Sequence, residues 1–360
     1  MKVNKDYYAV IMAGGVGSRF WPMSTQENPK QFHDMLGVGQ SLIQRTFDRI
    51  NGLVPSENIL IATNARYEEL VLKQLPKATK NSLLLEPAMR NTAPCILYSA
   101  LKIYAQNPEA VILVAPSDHW IDNEATFLNN IQTSFDACSK EDILMTLGIQ
   151  PDSPNTGYGY IQFTKEDTAI KKVVNFREKP ALETAKKFLA SGDYLWNAGI
   201  FVWSAKSIIK AFKEYLPNMF AILDAGDTIY NSYFESDFIK ENYSKCENIS
   251  IDFGIMEQAK NTHVLPVEFE WNDLGTWGSL YNKLEKDTHQ NAVVGGETIF
   301  KDANGNMIRT QSGKKVVIQG LQDFIVVEKD DVLLICPKKN EQDIKQIVAD
   351  VKNNFGTEFI

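Results

Sequence analysis

The sequence predicts an α/β protein: a Rossmann-like, mostly parallel sheet with helices on both faces, followed by a small C-terminal β-rich, β-helix-like module. Three observations predict it. Strand and helix patterns alternate through the first half of the chain. Glycine and acidic positions fall directly after predicted strands, at the carboxyl edge where open α/β sheets bind ligands. From Ala292 onward the helical periods give way to short β-rich runs.

The elements follow in order. Tyr7–Met12 is apolar throughout and reads as a buried strand. Residues 41–50 read as a helix, with Ser41 as N-cap and Ile43, Phe47 and Ile50 on one face. Residues 58–63 form a strand, and 64–75 a helix turning Tyr67, Leu70, Val71 and Leu75 inward. Then come a short strand at 82–85, a helix at 92–105 and an unbroken apolar strand at 110–115. A helix at 123–138 and strands at 143–147 and 170–175 continue the alternation. Beyond 292, β-rich runs at 293–300, 315–319, 324–328 and 332–335 are separated by turn signals at Asn304-Gly305, Ser312-Gly313 and Gly320. Ile344, Ile347, Val348 and Val351 then repeat as one face of a closing helix. The expected organisation is one domain over residues 1–285 and a β-rich module with its closing helix over 286–360; no internal repeat is evident.

A net charge of −8 and a pI near 5.2 speak against a nucleic-acid or membrane-surface binder, so any anion site must be a local gathering of cations and backbone N–H groups. Cys95, Cys138, Cys246 and Cys336 are far apart and form no C-x-x-C, which fits a reducing compartment and neither a disulfide framework nor a zinc site. The first six residues carry no apolar stretch and no long apolar run occurs, so the expected location is cytoplasmic.

Chemistry concentrates at the predicted strand ends. The turn Ala13-Gly14-Gly15-Val16-Gly17-Ser18-Arg19, followed by Pro29-Lys30-Gln31-Phe32, combines close-approach glycines with two cations. No Lys-Ser or Lys-Thr follows as a Walker A loop requires, and Phe20 stands where a Rossmann fingerprint has its third glycine. Gly14, Gly15, Gly17 and Ser18 are nucleotide-binding candidates, with Arg19 and Lys30 straddling the phosphates; a tight turn with solvated charges is the alternative. Glu86 is acceptor-only and matches the N1–H and 2-amino hydrogens of guanine, with Thr92 capping the next helix; a solvated strand-end Glu is the alternative. Asp118 and Asp273 lie 155 positions apart (273 − 118), and together with substrate phosphates they would hold Mg²⁺; a helix cap or a turn residue is the alternative for each alone. Lys179 is a candidate for holding a sugar phosphate and Glu178 for its hydroxyls; a surface helix start is the alternative. Gly157, Tyr158, Gly159 and Asn197 sit in segments suited to sugar recognition, unless those segments are a turn and a core strand.

These motifs, in this order, resemble the sugar-1-phosphate nucleotidylyltransferases, and most closely the mannose-1-phosphate guanylyltransferases. The resemblance rests on Ala13–Pro22, Pro29-Lys30-Gln31-Phe32, Glu86-Pro87 with Arg90-Asn91-Thr92-Ala93-Pro94, and Pro116-Ser117-Asp118-His119. It continues through Gly157-Tyr158-Gly159-Tyr160-Ile161, Phe176-Arg177-Glu178-Lys179-Pro180, Trp196-Asn197-Ala198-Gly199-Ile200-Phe201 and Asp273-Leu274-Gly275-Thr276-Trp277. Phe20 replaces the usual Leu, and Thr25 the usual Arg. The resemblance implies transfer of GMP from GTP to mannose 1-phosphate, giving GDP-mannose and pyrophosphate. It implies Arg19, Lys30, Asp118 and Lys179 as the catalytic set, Asn91 and Thr92 among the nucleotide-binding residues, and Asp118 and Asp273 as ligands of Mg²⁺. It leaves room for a homodimer through the C-terminal module. Two alternatives stand beside it: dTTP or UTP with glucose 1-phosphate, or a silent GDP-mannose-binding regulator.

Overall fold

In a computed structural model, which describes residues 4–360, the chain forms two compact units. One takes the N-terminal segment through Gly14 together with Phe47–Ser117 and Ile121–Trp271; the other takes Gly15–Thr46, Asp118–Trp120 and Asn272–Ile360.

The strands in chain order are β1 (Tyr7–Met12), β2 (Ile59–Asn64), β3 (Leu83–Glu86), β4 (Val111–Pro116), β5 (Trp120–Ile121), β6 (Leu144–Ile149), β7 (Tyr160–Phe163), β8 (Lys171–Arg177), β9 (Tyr194–Ser204), β10 (Thr262–Val267) and β11 (Trp271–Asn272). The first unit is built on a nine-stranded sheet of order β3-β2-β1-β4-β9-β6-β10-β8-β7. β3, β2, β1 and β4 are parallel, as the βαβ alternation requires. Beyond β4 the sheet is mixed, because the 11-residue β9 runs antiparallel to both β4 and β6. Residues 194–204 carry the Trp-Asn-Ala-Gly-Ile-Phe segment, whose polar and glycine positions obscure a strand otherwise buried along most of its length.

Alternation along β1 explains the two helical layers. Tyr8 and Val10 join the core that includes the inner residues of the helix Thr92–Gln106. Tyr7 points the other way, stacking on Phe135 of the helix Glu124–Cys138 and donating to Asp136 Oδ1 at 3.0 Å. A strand buried on both faces needs a continuous apolar run, and Ala9, Val10 and Ile11 are all fully buried. The expected cap at Ser41 forms as well. Ser41 and Gln44 exchange hydrogen bonds in a reciprocal cap before the helix Leu42–Asn51. Asn123 accepts from Thr126 N–H at 3.0 Å. One cap differs: Asn91, not Thr92, caps the helix Thr92–Gln106, leaving the Thr92 hydroxyl to accept the Ile251 N–H at 2.9 Å.

In the second unit, β12 (Ala292–Val294), β13 (Glu297–Lys301), β14 (Met307–Arg309), β15 (Lys315–Gln319), β16 (Phe324–Lys329) and β17 (Val332–Pro337) form the β-rich module. β12, β14 and β16 stack in parallel, as do β13 and β15, which gives the expected β-helix-like coil. The expected run 293–300 breaks in two at Gly295-Gly296, where a Cβ on Gly295 would lie 2.1 Å from the Thr310 carbonyl oxygen. The coil contains a repeat that the sequence conceals. Ala292 pairs with Met307 and Met307 with Ile325, so the rungs are 15 (307 − 292) and 18 (325 − 307) residues long. Unequal rungs defeat a search for a fixed period. Asn291 and the fully buried Asn306 occupy equivalent places before β12 and β14, and Asn291 Oδ1 accepts both N–H groups of Asn306 at 3.0 Å. The closing helix Ile344–Phe355 buries Ile344 in a core with Phe20, Trp21, Leu274 and Trp277.

Candidate functional site

Each unit collects part of the expected residue set. In the first unit Glu86 closes β3 and is only 8% exposed, so it is not the solvated strand-end carboxylate of the alternative reading. Gly14 follows β1, and a Cβ there would come within 3.3 Å of Glu86 Oε2. The other carboxylate oxygen, Oε1, accepts a short hydrogen bond from the Tyr243 hydroxyl. Burial pushes the Glu86 carboxyl up to about 7, and the Tyr243 bond works against that rise.

The loop after Glu86 is stapled to the segment 243–251. Arg90 Nη2 donates to the Ser244 carbonyl at 2.7 Å, Ala93 N–H to the Ile249 carbonyl at 3.1 Å, and Ile251 N–H to Thr92 Oγ1. Asn91 holds φ +64° at the helix start. The Asn91 and Thr92 side chains are therefore engaged by the chain itself, and their hydrogen bonds shape the loop.

The expected sugar-side residues also come together in this unit. Asn197 N–H donates to the Gly159 carbonyl at 2.8 Å, and Glu178 Oε2 occupies the space a Cβ on Gly159 would need. Asn197 Oδ1 accepts from Thr146 Oγ1 and Gly199 N–H, both at 3.1 Å, while its Nδ2 donates to Asp252 Oδ1 at 2.8 Å. Lys179 pairs with Glu178 yet keeps 62% of its side chain exposed. Tyr158 meets Trp196 and Trp271 edge to face at 5.0 and 5.2 Å, and Gly157 N–H turns back to Asn155 Oδ1 at 2.7 Å. Asp252 was not legible as a site residue. Burial, then the neighbouring Glu178 charge, pushes its carboxyl up to about 6. An acidic residue within Ile249-Ser250-Ile251-Asp252-Phe253 was the only signal available in the sequence.

The second unit gathers the expected phosphate-side residues. Gly17 adopts φ +71°, which glycine tolerates, and a Cβ there would lie 2.5 Å from Lys30 Cβ. Ser18 and Arg19 are exposed on the turn Ser18–Phe20, and Gly15 has open space around it. Lys30 is 3% exposed, and its ammonium donates to Asp118 Oδ2 and to the Asp273 carbonyl, each at 2.8 Å. Two of its three N–H groups are thereby used, with the Phe20 ring centroid 5.5 Å away. Burial raises the Asp118 carboxyl, but Lys30, His119 and the Lys30 hydrogen bond outweigh it and hold the group below the ordinary carboxylate range. Asp273 Oδ1 accepts the Gly275 N–H at 3.0 Å. The turn is anchored by the chain's last residues, since Trp21 Nε1 donates to the Phe359 carbonyl at 2.6 Å.

The oxygens around the Lys30 ammonium, a carboxylate and a carbonyl, are the donor type a hard cation takes. Among the described residues no three His, Cys, Asp or Glu side chains gather as a complete metal cage. The Asp118 carboxylate and the Asp273 main-chain carbonyl meet at the Lys30 ammonium, whereas the Asp273 carboxylate accepts the Gly275 N–H; a divalent ion held here would be completed by substrate oxygens and water.

Residues 8–290 match the family model described as "Nucleotidyl transferase", and 296–351 match the "MannoseP isomerase/GMP-like beta-helix domain". The chain is similar to "Mannose-1-phosphate guanylyltransferase 2" of Escherichia coli O157:H7, at 34% identity over 98% of this chain and 75% of the relative. It is 36% identical to the mannose-1-phosphate guanylyltransferase of Salmonella montevideo, over 95% of this chain and 73% of that one. A solved structure from Thermus thermophilus, described as a mannose-1-phosphate geranyltransferase, superposes with a TM-score of 0.87 at 30% identity, covering 96% of this chain and 99% of that one. The chain belongs to the mannose-1-phosphate guanylyltransferase family of nucleotidyl transferases.

Proposed function

We propose that this enzyme transfers GMP from GTP to α-D-mannose 1-phosphate, giving GDP-mannose and pyrophosphate. The observation that carries the reading is the pair of residue sets just described: a buried carboxylate at the end of β3 with the Arg90-Asn91-Thr92 loop, and a glycine turn whose cation is held by Asp118. Family membership supports the substrate pair.

In the proposed reaction a phosphate oxygen of mannose 1-phosphate attacks the α-phosphorus of GTP. The new P–O bond forms as the bond to pyrophosphate breaks, and no protein nucleophile takes part. Glu86 reads the guanine edge. Arg19 screens the triphosphate, as does the remaining N–H of Lys30, and Gly14, Gly15, Gly17 and Ser18 keep the turn open to it. Lys179 holds the attacking phosphate, while Glu178 and Asn197, with Gly157, Tyr158 and Gly159, shape the sugar side. Asp118 and Asp273 would hold the divalent ion that nucleotidyl transfer generally uses, here Mg²⁺, which supplies neutralisation of the phosphate charge. Our reading includes a cytoplasmic enzyme with residues 1–285 as transferase domain and 286–360 as a β-rich module through which a homodimer forms. The two family matches, over residues 8–290 and 296–351, support a division of this kind, a few residues beyond 285. No helix among the described residues is long and apolar enough to cross a membrane.

The direct test is incubation with GTP, mannose 1-phosphate and Mg²⁺, followed by chromatography for GDP-mannose and pyrophosphate in equal amounts. Absence of both products would sink the assignment. A second expectation concerns Lys179, which is exposed and paired along its own segment with Glu178. Lys179→Ala should raise the KM for mannose 1-phosphate by about tenfold, the scale of one charge-assisted hydrogen bond, with little change in the KM for GTP. A defect confined to GTP would place Lys179 on the triphosphate instead.

A further inference from the structure

Tyr243 is fully buried and belongs to no motif that identifies the family, yet its hydroxyl is spent on Glu86. We propose that Tyr243 is a positioning residue for base selection: its hydroxyl pins Glu86 as an acceptor-only carboxylate, so that guanine is taken and adenine refused. The proposal rests on Glu86 reading the base.

The chemistry follows from the edges of the two purines. Guanine offers N1–H and a 2-amino group, two donors side by side. Adenine offers an unprotonated N1, an acceptor, at the corresponding place. A carboxylate accepts from the first and repels the second, whereas a carboxylic acid carries an O–H that adenine N1 can accept. Selection thus depends on Glu86 remaining ionised and correctly turned. A carboxylate oxygen has two lone pairs, so Oε1 can accept from Tyr243 and still serve the base. A Cβ on Gly14 would come within 3.3 Å of Oε2, so a side chain there would crowd the other oxygen.

The neighbours leave this task to Tyr243. The Cys95 thiol on the helix Thr92–Gln106 faces Glu86, and burial raises it well above its usual range. Cys246 faces Tyr243 and is itself raised by burial, to about 11, with Arg90 beyond it. Both thiols are neutral at pH 7 and stabilise no charge on Glu86. Burial raises Glu86 to about 7, so removing the tyrosine hydroxyl moves its titration higher still. Above the titration point the group is the guanine-reading carboxylate; below it, the acid. At pH 7 the variant therefore holds more of the acid and loses guanine preference, which returns as the pH rises.

The test measures kcat/KM for GTP and ATP from pH 6 to 9, with mannose 1-phosphate saturating, for the unmodified enzyme, Tyr243→Phe and Glu86→Gln. Tyr243→Phe should lower the GTP/ATP ratio about tenfold at pH 7, through KM rather than kcat, and recover most of it by pH 9. The KM for mannose 1-phosphate should not move. An unchanged ratio at every pH would overturn the proposal, as would a loss equal for both nucleotides and independent of pH. If Glu86→Gln keeps full guanine preference, the reading of Glu86 fails and the proposal with it. If Glu86→Gln loses preference while Tyr243→Phe does not, only the role of Tyr243 fails. Should Tyr243→Phe not fold, 3-fluorotyrosine placed at 243, a stronger donor of nearly the same shape, decides: the pH at half-maximal GTP preference must shift downward, and an unshifted midpoint contradicts the proposal.

Discussion

Asp118→Asn is expected to lower turnover by about 10²–10³-fold at saturating substrates, the size of losing one element of transition-state charge stabilisation. Two consequences of the substitution must be separated. Asp118 is the carboxylate partner of a Lys30 that is 3% exposed, so the amide also leaves a buried ammonium without its counter-charge. Stability should fall together with activity. Adding Lys30→Met removes the stranded charge and keeps the apolar stem, and should recover most of the lost thermal stability without recovering turnover. Because Lys30 is itself in the proposed catalytic set, recovery of turnover in the double variant would mean that neither Lys30 nor Asp118 serves the reaction. Asp273→Asn should also depress turnover and raise the Mg²⁺ concentration needed for half-maximal rate. Combined with Asp118→Asn it should be little worse than the worse single change, since groups acting as a unit are not additive. Additive losses would show that the two aspartates do not share an ion.

Glu235→Gln is expected to destabilise the first unit by about 3–5 kcal/mol, the cost of breaking a buried ion pair on one side. Glu235 is 7% exposed and accepts four hydrogen bonds from three groups. Lys102 Nζ reaches its two oxygens at 2.8 and 2.6 Å, Tyr98 Oη donates to Oε1 at 2.5 Å, and Asn231 N–H donates to Oε2 at 2.6 Å. An amide turns one of those acceptors into a donor facing other donors. The network ties the helix Thr92–Gln106 to the start of the helix Glu235–Asn242, which leads directly into Tyr243. Denaturant midpoints measure the effect. Lys102→Met with Glu235→Leu should cost less than Glu235→Gln alone, because a matched apolar pair leaves no stranded charge. A loss under about 1 kcal/mol for Glu235→Gln, the range of a surface pair, would contradict this account.

The parts legible in the sequence were those dictated by neighbours along the chain. The apolar run of β1, the reciprocal cap at Ser41 and the closing helix with Ile344 inward are local patterns, and the structure reproduces them. Glu86, Asp118 and Lys30 stood out because a charged group beside a glycine turn or at a strand end breaks an apolar period. What escaped was set by tertiary pairing. The antiparallel course of β9 depends on its fit between β4 and β6, which its mixed composition does not announce. Tyr243 and Asp252 gain their meaning from residues 157 (243 − 86) and 55 (252 − 197) positions away. A buried tyrosine in sequence looks like any core aromatic until its hydroxyl is seen to have a partner. The β-helix rungs escaped because their unequal lengths hide the period while Asn291 and Asn306 keep the register.

The central claim is most directly tested by pyrophosphate release across a matrix of GTP, ATP, UTP and dTTP against mannose 1-phosphate, glucose 1-phosphate and related hexose phosphates. GTP with mannose 1-phosphate should give the highest kcat/KM, with the other purine and both pyrimidines well behind. Equal turnover of UTP or dTTP with glucose 1-phosphate, or binding of GDP-mannose without turnover of any pair, would contradict it.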